Sequence, residues 1–109
     1  MSPRLTSEFW VKAYMARLRT MDIPAFITTK GDTTAGAVLI KINTLNGQAQ
    51  AFQRSYDASG KRIWISLSDG PDCEVEAALN KQRSFDPDIW IIEVEDKQGR
   101  SLLDQDGLT

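Results

Sequence analysis

The sequence predicts an α+β fold in which a single sheet is packed by helices. Three features carry this: an amphipathic stripe near the N-terminus, alternating strands separated by turn residues, and a second helical segment followed by the apolar run FDPDIWIIEVED at residues 85–96. The implied order is α-β-β-β-β-α-β: an N-terminal helix, a four-stranded largely antiparallel meander, a second helix and a final strand, with the helices covering one side of the sheet. At 109 residues the chain suits one domain and is too short for two. Residues 1–109 therefore read as one unit, with a polar tail at about 97–109 that frays.

The helix spans Ser7 to about Met21. Val11, Tyr14, Met15, Leu18 and Met21 recur at helical spacing and form one stripe, with Trp10 at its edge. Ser7 is the expected N-cap, Glu8 lies in the electropositive first turn, and Arg17 and Arg19 sit near the opposite end. Asp22, Ile23 and Pro24 stop it. Ala25–Thr29 is a short strand, the GDTTAG segment a polar loop, and Gly36–Asn43 a strand with alternating β-branched residues.

Asn46-Gly47 favours a two-residue type I′ turn, because both of its central residues need positive φ. It returns the chain along Gln48–Tyr56. Asp57–Gly60 is a second turn, with a three-residue loop at Ala58–Gly60 leading into Lys61–Leu67. Ser68–Pro71 then breaks the sheet, and Pro71, Asp72 and Glu74 open a helix running to about Ser84, with Val75, Ala78, Leu79 and Gln82 inward. Ile89–Glu95 is the last strand. Its place in the sheet is open.

These turns set registers, and registers sort side chains by face. Pairing Leu45 with Gln48 places Ile42 opposite Ala51 and Ile40 opposite Gln53; the second loop places Ser55 opposite Ile63 and Gln53 opposite Ile65. One face is then aliphatic. The other carries Leu39 and Lys41 together with Phe52, Arg54, Tyr56, Arg62, Trp64 and Ser66. Aromatics interleaved with arginines make a stacking platform for single-stranded nucleic acid, or an aromatic layer beneath a helix with Arg54 lying over a ring. The net charge of -2 and pI near 5.0 favour the second.

With no histidine, a Ser-His-Asp triad, a Cys-His pair and the usual zinc sets are excluded. Cys73 has no disulfide partner in the chain and reads as a packed thiol, since Asp72 and Glu74 oppose thiolate formation. Neither GxGxxG nor GxxxxGK occurs, so no cofactor is expected. No apolar leader or run near the ~18 residues of a membrane span is present, and a cytoplasmic location follows as the expectation.

The acidic residues of the last segment are the remaining candidates for chemistry. Asp86 and Asp88 belong to a turn. Glu93 and Glu95 share one strand face, opposite Trp90, Ile92 and Val94. Asp88 and Glu95 are roughly 20 Å apart along an extended strand, too far to share an ion, so no metal site is expected.

RLTSEFWVKAYMARL, GDTTAGAVLIKI, KRIW and above all FDPDIWIIEVED, with its Phe85, Asp86, Pro87, Asp88, Trp90, Glu93 and Glu95, resemble the bacterial family called domain of unknown function 1491. The resemblance covers essentially the whole chain. It implies a small, stand-alone cytoplasmic bacterial protein and assigns no catalytic residue.

The reading is a non-catalytic cytoplasmic module that binds another protein or a second copy of itself through a sheet face or edge. Exposed tryptophan would accompany it. Nucleic acid and membrane are not expected partners. The alternatives are a carboxylate-dependent, metal-assisted hydrolase using Asp86, Asp88, Glu93 or Glu95 with Arg54 or Arg62, and single-strand binding by Phe52, Arg54, Tyr56, Arg62 and Trp64.

Overall fold

The computed structural model describes residues 6–104. Helix α1 (Ser7–Thr20) leads into strands β1 (Ala25–Thr29), β2 (Val38–Asn43), β3 (Gln48–Tyr56) and β4 (Arg62–Pro71), then helix α2 (Asp72–Phe85) and strand β5 (Trp90–Glu95). All five strands join one mixed sheet in the order β1-β5-β2-β3-β4.

The last strand lies inside the sheet. β5 runs parallel to β2 and antiparallel to β1, so it separates the first two strands, and the hairpin-connected meander consists of β2, β3 and β4. Its composition explains the position: Trp90, Ile91, Ile92 and Val94 supply apolar side chains to both faces, which suits a strand covered on both sides.

Both faces are indeed covered, which corrects the expectation of a sheet packed on one side. Trp10, Val11, Tyr14 and Leu18 of α1 pack on Ile40, Ile42, Trp90, Ile92 and Val94. Val75 and Leu79 of α2 pack on Leu39, Ala49, Ala51, Ile89 and Ile91. The alternation of β2 and β5 feeds two cores, and the small Ala49 and Ala51 make room for α2.

Helix α1 is capped by Thr6 rather than Ser7: its hydroxyl accepts the Phe9 N–H at 3.2 Å. Ser7 instead donates its hydroxyl to the Gly36 carbonyl at 2.6 Å, and the Ser7 and Glu8 amides donate to Thr34 and Thr33. Trp10 is central to the core, whereas Met21, beyond the last turn, is exposed.

The first hairpin is one residue longer than expected. Thr44 N–H donates to the Gln48 carbonyl, and Leu45 and Gly47 both have positive φ, so the loop is Leu45-Asn46-Gly47. Asn46 Oδ1 accepts from the Thr44 hydroxyl and the Gln48 amide, which fixes this wider loop. The register moves by one: Ile40 faces Phe52 and Lys41 faces Ala51, so Leu39 and Lys41 belong to the α2 face, away from the aromatic residues. The second loop keeps its expected register, with Ser55 opposite Ile63 and Gln53 opposite Ile65, until a bulge near Leu67 shifts Ala51 to Ser68.

The tail expected to fray from Lys97 is docked as far as the structure describes it. Leu102 is buried, Tyr14 donates its hydroxyl to the Ser101 carbonyl at 2.7 Å, and Asp96 accepts from Arg100. Residues 105–109 of that expectation lie outside the described residues.

Candidate functional site

The acidic candidates occupy two separate places. Asp86 and Asp88 form the turn between α2 and β5, where Asp86 Oδ1 accepts the Asp88 N–H at 3.0 Å. The Asp88 carbonyl accepts from the Asp32 amide at 2.9 Å, and the Trp90 indole donates to the Asp32 carbonyl at 2.7 Å. A Cβ at Gly31 or Gly36 would stand 2.2 or 2.4 Å from the Asp88 carbonyl oxygen. The GDTTAG segment thus packs its backbone directly against the Asp-Pro-Asp turn, closer than any side chain permits.

Glu93 and Glu95 lie at the far end of β5, aligned with Lys41 and Asn43 on β2. Here the structure builds a cluster that sequence alone did not. The Lys41 ammonium, almost fully buried, contacts Asp72 and Glu76 at 2.7 Å each and Glu93 at 3.5 Å. Glu93 also accepts from the Asn43 amide at 3.2 Å. Burial alone would lower the Lys41 pKa, but hydrogen bonds to Asp72 and Glu76 and the field of Glu93 outweigh it and the net shift is upward. Carboxylates from two elements surround the ammonium, Glu76 accepting a hydrogen bond from it, and this ties α2 to the sheet. A visible signal existed: a lone lysine inside VLIKIN, and two acidic residues one helical turn apart at Asp72 and Glu76. Glu95 is not among the contacts of Lys41. Among the described residues, no three metal-ligating side chains converge.

The aromatic face is gathered as the second loop's register implies: Arg54 pairs with Trp64, Tyr56 with Arg62 and Phe52 with Ser66. It is roofed by α1. Trp10 stacks on Tyr14 at 5.0 Å and leans on Trp64 at 5.6 Å, while the Arg54 guanidinium lies 4.6 Å from the Trp64 ring centre and 5.1 Å from that of Trp10. Phe52 and Trp64 pack against the core, Arg62 is half-buried, and Tyr56 is exposed. Sequence reasoning placed Trp10 at the rim and so missed the ring that fills this stack.

Two surface features complete the inventory. An open cleft of about 510 Å³ runs past the end of the sheet where β2 and β5 begin, reaching from Trp10, Arg54 and Arg62 to Gln82 and Asp86. At the opposite flank, β1 is an outer strand with Phe26 and Ile27 exposed at 53% and 46%, beside a hollow of about 380 Å³ lined by Met15, Pro24 and Phe26. No helix among the described residues is long and apolar enough to cross a membrane.

Comparison with known proteins gives relatives over the same span. A crystal structure of a DUF1491 family protein from Caulobacter crescentus CB15 is 32% identical, with a TM-score of 0.85 over 94% of this chain and 97% of that one. An NMR structure of a DUF1491 family protein from the same organism is 31% identical, with a TM-score of 0.82 over 95% and 96%. A solution structure of a protein from A. tumefaciens is 25% identical, with a TM-score of 0.77 over 93% of each chain. No curated protein matches. The family model described as "Protein of unknown function (DUF1491)" matches residues 5–104, and the chain therefore belongs to the DUF1491 family.

Proposed function

We propose that this chain is a small non-catalytic interaction module of the bacterial cytoplasm that associates with a second copy of itself through the outer edge of β1. The observation that carries the reading is the unprotected character of that edge. Its residues, AFITT, include neither charge nor proline, Phe26 and Ile27 project from it exposed, and among the described residues its far side has no neighbouring strand. The bulge between Ile27 and Thr29 is its one irregularity. The opposite edge strand, β4, is blunted by Arg62, Asp69, Gly70, Pro71 and a bulge.

A second copy suits this edge because antiparallel pairing about a two-fold axis is self-complementary. An axis at Ile27 sets Ile27 against its own copy and Phe26 against Thr28, and brings Lys30 toward the Asp22–Pro24 turn of the other molecule. Exposed tryptophan, the expected companion of this reading, does not contribute: Trp10 and Trp90 are buried and Trp64 packs against the core. Phe26 and Ile27 take that role instead.

The test compares the native chain with Phe26→Lys and Ile27→Lys by light scattering. The native chain is expected to dimerise, and each variant to be monomeric with an unchanged far-ultraviolet dichroism spectrum. Dimers of equal strength in all three would remove β1 from the interface.

A further inference from the structure

The hollow beside β1 offers a paired edge a second point of contact. It holds about 380 Å³, and its lining is mostly apolar, with Met15, Ile23 and Ala25 among its walls and Asp22 as its one acidic side chain. Asp22 is exposed and enters no ion pair among the described residues. The same holds for Lys30, the residue that follows β1.

Pairing through β1 brings these two charges together. Ala25 and Ile27 face the α1 core with their partners Val94 and Ile92, whereas Thr29 is paired with Ile91 of the opposite core. Alternation then returns Lys30 to the α1 side, the side from which Met15 lines the hollow. About a two-fold axis at Ile27, Lys30 of the second copy stands opposite Pro24, or opposite Ala25 once the extra residue of the bulge is counted. Both of those residues line the hollow.

We propose that the Lys30 side chain of the second copy lies in this hollow, its methylene stem against Met15 and Ala25 and its ammonium at the Asp22 carboxylate. The contact depends on the pairing through β1, and it sets the register of that pairing. AFITT carries no charge, and a slip of two residues, roughly 7 Å at the usual rise, would keep every side chain on its face. Such a slip carries Lys30 away from Asp22. Arg19 also lines the hollow and offsets part of the carboxylate's field, so the contact selects among registers more than it adds affinity.

The experiment measures association of the full chain by sedimentation velocity for Asp22→Lys and Lys30→Asp, each alone and as an equimolar mixture. Alone, each variant sets like charges together at both symmetric contacts and should dimerise at least about tenfold more weakly than the native chain. In the mixture both contacts pair unlike charges, and dimers of native strength should return. Asp22 has a φ of 56°, which asparagine tolerates better than lysine does, so Asp22→Asn is measured as well and should also weaken the dimer. Variants that associate as the native chain does, while Phe26→Lys is monomeric, would overturn this contact and leave the β1 reading standing. A mixture that stays monomeric, or an unaltered Asp22→Asn, would also overturn it. A monomeric native chain would remove both.

Discussion

Lys41 stands in a strand whose immediate neighbours are apolar, where an uncompensated ammonium is costly. Asp72, Glu76 and Glu93 supply the compensation, and the raised lysine pKa fixes the sign of the pH effect. A folded value above the unfolded one, about 10.4, means that this contribution is fully present below that pH and is lost as pH rises through the folded value. It is therefore intact at neutrality. Lys41→Met leaves three neighbouring carboxylates without their cation, two of them exposed enough to rehydrate partly. Urea denaturation at pH 7 should show a loss of about 2–4 kcal/mol, near the low end for breaking a buried pair.

At the scale of elements, the contact between the GDTTAG loop and the Asp-Pro-Asp turn accounts for the acidic residues that first suggested a site. Asp86 caps the turn, and the Asp88 carbonyl is held by the Asp32 amide beneath Gly31 and Gly36. Gly36→Ala places a methyl group 2.4 Å from that carbonyl oxygen and 2.8 Å from the Asp32 carbonyl oxygen, both fixed backbone atoms. Gly36 also accepts the Ser7 hydroxyl, so displacement of the loop reaches the start of α1. Thermal denaturation of Gly36→Ala should show a loss of about 2 kcal/mol or more, the range of overpacking against immovable neighbours. Gly47→Ala tests the contrast: open space surrounds its Cβ, so its cost is limited to the backbone strain of a φ of +86°, about 1 kcal/mol.

Across the whole molecule, local patterns made the elements legible, and long-range pairing decided what local patterns could not. Helical spacing located α1 and α2, and alternation in WIIEVE identified which residues of β5 share a face. The insertion of β5 between β1 and β2 depends on contacts across some sixty residues, such as Ile27 with Ile92, for which one sequence carries no direct record. The first hairpin's extra residue rests on Leu45 at positive φ and on Asn46 accepting two hydrogen bonds, a local competition that the Asn-Gly dipeptide alone does not reveal. That single shift moved Lys41 away from the aromatic face and hid the ion cluster. The aromatic face was legible because the second loop kept its register, but its roof, Trp10, comes from another element.

The C-terminal docking is also a property of the whole molecule, joining Asp96 and Arg100 to the α1 core through Ser101 and Leu102. Hydrogen bonds from the Arg100 side chain, outweighing the opposing effect of burial, hold the Asp96 carboxyl below the usual carboxylate range. Its folded pKa is depressed, so the stability it contributes is present above the unfolded value of about 3.9 and is lost as pH falls through the folded value. Arg100→Ala should therefore lower the thermal midpoint at pH 7, and by less as the pH falls below the unfolded value, when each is compared with the native chain at the same pH.

Association through β1 would show most directly in the mass of the unmodified chain by sedimentation velocity over a concentration series from about 1 μM to 1 mM, the span between moderate and weak association. A closed two-fold dimer requires a mass that rises from the 12.2 kDa of one chain to twice that value and stops there, and this is the expected result. A mass that stays at one chain throughout would contradict it.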